Sequence, residues 1–144
     1  MSKKDINPAI KILDDYKAAV YAKNVDSFVN LYDENIVAFD MWGSKWNYRG
    51  IKNWRSMVDE WFASLGNDRV VVDFEQLQLS QSTNLASVAA FVKYTAVSPE
   101  GKTLRSLNNR MTMVFELKKG VWKITHEHTS APANHDTLKV SLKR

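Results

Sequence analysis

Two polar side chains fall on otherwise apolar predicted surfaces near the start of the chain, where they would be able to do acid–base chemistry. Asp40 follows Ile36 and Ala38 on one face of a predicted strand, and Trp42 continues that face. Burial raises the pKa of a carboxyl group, so Asp40 in an apolar wall would be a general base or acid. The alternative is an aspartate at a strand end that caps a turn or faces water. Tyr16 lies on the apolar stripe of a predicted helix, where most tyrosines are core residues with the hydroxyl group at the edge.

A cationic side chain interrupts a long predicted strand in the second half of the chain. Arg110 shares a strand face with Asn108 and Thr112. If that face is concave, Arg110 is a buried cation and needs an anion, for which Asp40, Glu127 or a ligand carboxylate would serve. The alternative is a surface arginine on the convex face.

Two histidines at alternate positions, His126 and His128, share one face of the last predicted strand with Trp122. Two imidazoles at this spacing would be able to bind a metal, but a third ligand, Asp40 or His135, is not required by the spacing. Acid–base chemistry by one histidine is the favoured alternative, and a structural role for at least one of them stays open. We expect no metal and no cofactor.

Counting outward from the predicted turn at residues 118–120 places Arg110 opposite His128 and Thr112 opposite His126. These four residues are therefore expected to share one face of the sheet.

We predict that the catalytic candidates Tyr16, Asp40 and His126 converge with Arg110 on one cavity, with Trp54 in its wall. Asp40 is expected to be the base, since the sequence places no other acid where it would serve as the base of this cavity. The remaining expected ligand contacts are His128, Thr112 and Trp42, of which Trp42 lies in a loop near the mouth of the cavity.

The hydrophobic periodicity predicts the elements that position these residues. Two helices come first, and the apolar stripe of the first has members at spacings of three and four: Ala9, Ile12, Leu13, Tyr16, Ala19 and Val20. A strand over residues 36–42 and a third helix over residues 51–65 follow, and then four long strands over about residues 69–80, 85–97, 103–117 and 121–131. A slip in the apolar alternation of the first long strand predicts a bulge near Glu75 and Gln76.

This order predicts an α+β fold, a cone-shaped half-barrel in which three N-terminal helices pack on a bent, mainly antiparallel sheet. The concave mouth of such a sheet is a natural site for a small molecule. The 144 residues suit a single domain, with a core over about residues 6–132 and a short, loosely ordered C-terminal tail that has an extended piece near residues 138–142.

Composition excludes several classes of protein. The chain has no cysteine, which excludes disulfides, thiol nucleophiles and thiolate metal sites. It has no Gly-rich phosphate loop, GxSxG or HExxH motif. It also has no apolar run of membrane-spanning length and no signal-peptide pattern, so we expect a cytoplasmic protein without a membrane partner.

The net charge of +4 is confined to the two ends of the sequence. Residues 6–138 carry 15 basic and 15 acidic side chains and are therefore neutral. Because a nucleic-acid binder usually carries basic residues on its folded body, we expect no nucleic-acid partner and interpret the ends as solvated tails.

Three stretches give the chain a resemblance to the nuclear transport factor 2-like superfamily, in particular its SnoaL-like and ketosteroid isomerase-like branches. They are residues 16–40, YKAAVYAKNVDSFVNLYDENIVAFD; residues 50–61, where a glycine begins the third helix; and residues 120–130, GVWKITHEHTS. The last stretch also resembles the end of the calcium/calmodulin-dependent protein kinase II association domain. The resemblance covers roughly residues 9–132.

The resemblance implies roles for individual residues. In the ketosteroid isomerase-like branch a tyrosine on the first helix stabilises an oxyanion and an aspartate on the first strand moves the proton, and Tyr16 and Asp40 stand at those places, with Gly43 following as in the family. At the position of the family's second oxyanion acid this sequence has Thr112, whose hydroxyl group is a weaker hydrogen-bond donor than a carboxylic acid. SnoaL-like domains often place an arginine on the strand of Arg110, which favours the cavity for that residue.

Two functions remain open from the sequence. One is a cofactor-free isomerase, dehydratase or cyclase that transfers a proton next to a carbonyl group of a small, apolar molecule. The other is a non-catalytic module for ligand binding or oligomerisation, similar to the kinase association domain. Because the bent sheet has more apolar area than three helices cover, we also expect a homodimer at least.

Overall fold

The computed structural model describes residues 6–144, which form three helices and one six-stranded sheet. The helices are α1 (Pro8–Ala22), α2 (Val25–Val29) and α3 (Ile51–Ser64). The strands are β1 (Tyr32–Phe39), β2 (Tyr48–Arg49), β3 (Arg69–Gln81), β4 (Leu85–Val97), β5 (Thr103–Lys118) and β6 (Val121–Ser130). This is the α+β cone that the sequence predicts.

Local sequence explains where the helices begin. The Asn7 side chain accepts hydrogen bonds from the backbone N–H groups of Ala9 and Ile10 and caps α1. Asn24 caps α2 in the same way through Ser27. Gly50 precedes α3 at φ +83°, a left-handed conformation that glycine adopts without steric cost, and its N–H donates to Ile36 O on β1.

The sheet has the strand order β2-β1-β6-β5-β4-β3. Strands β3 to β6 form an antiparallel meander, β2 is antiparallel to β1, and β1 runs parallel to β6. A bulge in β3 shifts the register between Glu75 and Gln78, and Gln76 there has φ +51°, so the predicted bulge is confirmed. Bulges of this kind increase the bend of a sheet.

The core lies between the three helices and the concave face of the sheet. All six residues of the predicted α1 stripe are buried. The centre is aromatic, with ring centroids 4.9 Å apart for Tyr16 and Phe28, 5.3 Å for Phe28 and Tyr32, and 5.5 Å for Tyr32 and Trp54. Edge and tilted contacts of this type add about 0.5–1.5 kcal/mol per pair to area burial.

The C-terminal residues differ from the loosely ordered tail that the sequence predicts. Ala133 pairs with Val140 in an antiparallel bridge, and residues 141–144, which we call the C-terminal strap, lie against β5. Asn108 donates its backbone N–H to Leu142 O at 2.8 Å. Because β6 ends opposite Arg110, the strap occupies a strand edge that would otherwise be open.

No helix within residues 6–144 combines the length and the apolar character that crossing a membrane requires. The N-terminal part of the predicted basic tails, residues 1–5, lies outside the described residues. The cytoplasmic location remains a prediction.

Candidate functional site

A cavity of about 350 Å³ lies between the helices and the concave face of the sheet. Its volume is at the lower end of the range of about 300–1,000 Å³ that is common for small-molecule sites. Its walls are largely apolar and aromatic, and a few polar side chains from the segment after β1 and from β4, β5 and β6 face it. The lining residues are Tyr16, Phe28, Asp40, Trp42, Trp54, Met57, Trp61, Ser64, Leu65, Val70, Tyr94, Ala96, Arg105, Ser106, Leu107, Asn109 and Glu127.

Asp40 directly follows β1 and continues the buried face of Ile36 and Ala38 into the cavity. The Thr129 hydroxyl donates to Asp40 Oδ1 at 3.1 Å and itself accepts the Met41 N–H at 2.9 Å, so the carboxyl group is held in one orientation. Burial raises the pKa of Asp40, and hydrogen bonds from Thr129 and the Trp42 backbone partly offset that rise. Asp40 is therefore placed in an apolar wall rather than at a solvated turn.

A second acid in the cavity, Glu127 on β6, is almost fully buried. The Tyr32 hydroxyl donates to Glu127 Oε1 at 2.6 Å. Burial raises the pKa of Glu127 to about 8, the Tyr32 hydrogen bond opposes that rise, and the negative charge of Asp40 adds to it. Glu127 therefore carries its proton at neutral pH, and the sequence reasoning, which gave it only the role of a counter-ion, missed it as an acid of the site.

A pair of tyrosine hydroxyl groups, Tyr16 Oη on α1 and Tyr94 Oη on β4, lies 3.1 Å apart beside the cavity. Burial raises the pKa of both phenols, so both are neutral at physiological pH. When one hydroxyl donates to the other, the second keeps its own proton available as a donor.

Together these groups form a proton-transfer constellation: a carboxylate with a raised pKa, a neutral carboxylic acid and neutral phenols in an apolar enclosure. A carboxylate base beside neutral hydrogen-bond donors suits removal of a proton from carbon next to a carbonyl group, because the donors stabilise the charge that develops on oxygen.

The predicted convergence of four residues is wrong for Arg110 and His126. Tyr16 and Asp40 line the cavity and Trp54 forms part of its wall, but Arg110 and His126 lie on the opposite, convex face of the sheet. Arg110 donates from Nε to Ser130 Oγ at 3.0 Å. His126 Nδ1 lies 2.7 Å from Val37 O, on the neighbouring strand.

The other predicted contacts on these strands, Thr112 and His128, also lie on the convex face. The register pairs Thr112 with His128 and Arg110 with Ser130. The sequence predicts His126 opposite Thr112 and His128 opposite Arg110, so each observed partner lies two residues further along β6. The four polar residues thus do share one face, as predicted, but it is the outer face. His126 and His128 pack edge-on against the ring of Phe39, at centroid distances of 5.0 and 5.4 Å.

A bulge in β6 causes the reversal of the histidines. Ile124 pairs with Phe115 and His126 pairs with Val114, so Thr125 is the extra residue. Ile124 therefore points into the core, and His126, two residues later, points out. The same bulge turns Glu127 inward.

The arginine that lines the cavity is Arg105, five residues before the predicted one. Arg105 pairs with Ala96, a residue of the concave face, and is exposed at the mouth. The signal that would have placed Arg110 outside is the alternation Met111, Met113 and Phe115, all buried. Arg110 has the opposite parity.

The aromatic residues of the mouth are divided between the cavity and solvent. Trp42 lines the cavity, as predicted, together with Trp54 and Trp61. Trp46 does not line it, and 94% of its surface is exposed.

Within residues 6–144 no three His, Asp or Glu side chains lie close enough to hold a metal ion. His126 and His128 therefore lack the third ligand that a zinc site of this type uses.

The SnoaL-like domain family matches residues 10–134 of the sequence. The chain belongs to this family. Solved structures described as nuclear transport factor 2-like share the fold of helices and bent sheet described above. No curated protein shows a significant match to the sequence.

Three solved structures illustrate the shared fold. A nuclear transport factor 2-like protein of unknown function from Pseudomonas putida is 19% identical, with a TM-score of 0.84 over 100% of this chain and 98% of the other. A protein from Xanthomonas campestris, whose name likens it to a calcium/calmodulin-dependent protein kinase II association domain, is 19% identical, with a TM-score of 0.70 over 92% of each chain. Aln2 from a Streptomyces species is 8% identical, with a TM-score of 0.75 over 90% of this chain and 92% of the other. At these identities the likeness concerns the fold.

Proposed function

We propose that this SnoaL-like domain binds a small, largely apolar, carbonyl-bearing molecule in its conical cavity and catalyses a cofactor-free proton transfer next to the carbonyl group. The observation that carries the proposal is the pairing of Asp40 with a second, protonated acid, Glu127, in one apolar cavity. Two carboxyl groups whose environments give them different protonation states are typical of acid–base sites.

In the proposed reaction, the Asp40 carboxylate removes a proton from the carbon next to the carbonyl group of the ligand. The electron pair of that C–H bond moves to the carbonyl oxygen and forms an enolate. Donors in the cavity stabilise the enolate oxygen, and Asp40 returns its proton to carbon at the same or a conjugated position. An isomerase uses these steps directly, whereas a lyase expels a leaving group from the enolate.

Glu127 and the tyrosine pair are the proposed enolate donors. Glu127 Oε1 is occupied by the Tyr32 hydroxyl, and Oε2 has no hydrogen-bond partner within residues 6–144. A protonated carboxyl group facing an apolar cavity is a strong donor, and removing one such donor typically reduces the rate by about 10²–10³-fold. The Tyr16 and Tyr94 hydroxyl groups are hydrogen-bonded to each other, so whichever of them accepts that bond donates its own proton to the enolate oxygen.

The test is proton abstraction from 5-nitrobenzisoxazole, an apolar bicyclic compound in which loss of one C–H proton opens the N–O bond and releases a coloured phenolate. We expect the rate to rise with pH through the raised pKa of Asp40, since only the ionised form is a base. Asp40→Asn is expected to reduce the rate by about 100-fold or more. His128→Gln, on the convex face, is the matched control and is expected to leave the rate unchanged. Equal rates for wild type and Asp40→Asn would refute proton transfer by this residue.

A second candidate function, a non-catalytic binding or oligomerisation module, is favoured by the convex face. That face carries Phe39, 39% exposed in the single chain, next to His126 and His128. Self-association through this surface is part of the proposal, and the structural likeness to the association-domain protein agrees with it. Binding of 2-acetonaphthone, detected by quenching of tryptophan fluorescence, in a protein without proton-transfer activity would favour this second function.

A further inference from the structure

We propose that the ligand of the cavity carries a carboxylate, and that this carboxylate binds at the cavity mouth between Arg105 and Lys143. The proposal rests on the proposed function, because it specifies the chemical class of molecule that enters the same cavity. It assigns a binding role to two cations that the proton-transfer chemistry does not use.

Arg105 is the one basic side chain among the residues that line the cavity in the described part of the chain. No Asp or Glu oxygen within residues 6–144 lies within 4.0 Å of its guanidinium group. It also makes no side-chain hydrogen bond within the same residues. Its five N–H donors are therefore available to a planar carboxylate, which a guanidinium group binds through two parallel hydrogen bonds.

The C-terminal strap brings a second cation to the same edge. Lys143 Nζ donates to Ser106 O at 2.6 Å, and Ser106 follows Arg105 and lines the cavity. The Leu142 carbonyl holds the strap in place by accepting from both Asn108 N and Asn108 Nδ2, at 2.8 and 3.1 Å. Part of the basic charge that the sequence assigns to a solvated tail is thus fixed beside Ser106, which lines the cavity.

The distribution of charge in the cavity separates an anionic end of the ligand from its reacting end. Arg105 lies in the outermost cross-strand row of the concave face, with Ala96 and Val70. Glu127 lies on β6 opposite Met113 of β5, and Asp40 directly follows β1, on the far side of β6. A ligand carboxylate at Arg105 stays partly hydrated, so only the apolar part of the ligand has to leave water. In this position the carboxylate is also kept away from the negative charge of Asp40.

A carboxylate is favoured over a phosphate group by the kind of donors present. The guanidinium group of Arg105 offers the parallel N–H donors that a planar carboxylate binds, and Lys143 Nζ already donates to Ser106 O. The chain lacks the Gly-rich loop of backbone N–H groups that cradles phosphate in many proteins.

The experiment compares three probes of similar size by quenching of tryptophan fluorescence: 2-naphthoate, the neutral and nearly isosteric 2-acetonaphthone, and 2-naphthyl phosphate. We expect 2-naphthoate to bind about tenfold more tightly than the ketone, and this preference to fall when NaCl is raised from about 0.05 to about 0.5 M. Arg105→Gln is expected to remove the preference and leave ketone binding within about twofold. Arg105→Lys is expected to keep part of the preference for 2-naphthoate. Lys143→Gln is expected to reduce this preference less than Arg105→Gln does. Arg110→Gln, an arginine on the convex face of the same strand, is the matched control.

Each outcome separates the carboxylate assignment from the proposed function. Ketone binding without a preference for 2-naphthoate overturns the carboxylate assignment and leaves the proposed function standing. Tighter binding of 2-naphthyl phosphate than of 2-naphthoate overturns the choice of carboxylate. If neither the ketone nor 2-naphthoate binds, the cavity is not a site for such molecules and both proposals fail. An equal loss of preference in Arg110→Gln and Arg105→Gln would show an effect of overall charge and contradict the assignment.

Discussion

Replacing Glu127 by Gln is expected to change how the stability of the protein depends on pH. Burial raises the pKa of Glu127 from 4.5 to about 8. In the unfolded chain the group ionises near its ordinary value, so between these two pH values the unfolded state holds fewer protons than the folded state. The stability that this group contributes is thus fully present below pH 4.5 and is lost as pH rises towards 8.

The size of the effect follows from the two pKa values. One pKa unit corresponds to about 1.4 kcal/mol, so keeping the ionised carboxyl group buried costs about 5 kcal/mol. Between about pH 5 and pH 8 the free energy of unfolding of the wild type falls by about 3–4 kcal/mol from this group alone. Glu127→Gln lacks the titration, while its amide oxygen still accepts the Tyr32 hydrogen bond at the same place.

The assay is urea unfolding at several pH values between about 5 and 8 for wild type and variant. The quantity to compare is the difference between the two free energies of unfolding at each pH, because contributions that both proteins share then cancel. We expect the variant to gain about 3–4 kcal/mol relative to the wild type over this range. Glu60→Gln, an exposed glutamate of α3, is the matched control and is expected to show no such gain. Parallel pH dependences for wild type and Glu127→Gln would refute a buried, protonated Glu127.

Three further predictions concern the ends and the outer face of the domain. Deleting residues 141–144 opens the edge of β5 and is expected to lower the melting temperature by about 4–10 °C, whereas an unchanged value would mean that the strap contributes nothing to the fold. Asn7→Ala removes the side-chain acceptor for the Ala9 and Ile10 N–H groups and is expected to cost about 1 kcal/mol in urea unfolding, with Asn7→Asp as the control that keeps a cap. Light scattering at micromolar concentration is expected to give twice the mass of the chain, and Phe39→Asp to shift it towards the monomer. A wild-type mass of one chain would contradict self-association.

Apolar residues made most of the fold predictable from the sequence. The α1 stripe is complete because each of its positions faces the sheet and is apolar or Tyr16. The β3 bulge was visible for the same reason, since Val70, Val72 and Phe74 are followed by Leu77 and Leu79 with the opposite parity. When one face of a strand is apolar and the other faces solvent, a bulge appears in the sequence as a change in the parity of the apolar residues.

The bulge in β6 changes no apolar position after Ile124, which explains why the sequence placed the two histidines in the cavity and missed Glu127. After Ile124 the inward positions are Glu127 and Thr129, both polar, and the outward positions are the two histidines. No apolar residue marks the extra Thr125, so alternation alone carried the wrong parity through the strand. The inward positions of β6 are polar where they lie beside the cavity. They therefore do not continue the apolar alternation that identifies inward-facing residues on the other strands.

The parallel pairing of β1 with β6 has a consequence for how the domain folds. The two strands are far apart in the chain: Val37 meets His126 across 89 residues, and Tyr32 meets Glu127 across 95. Closing so long a loop costs entropy before its contacts stabilise the chain, so contacts of this range slow folding. Asp40 acquires its Thr129 hydrogen bond, and Tyr32 its partner Glu127, only when β6 joins the sheet. The acid–base cluster is thus among the last parts of the molecule to be assembled, because a nascent chain that stops before β6 lacks both Glu127 and Thr129.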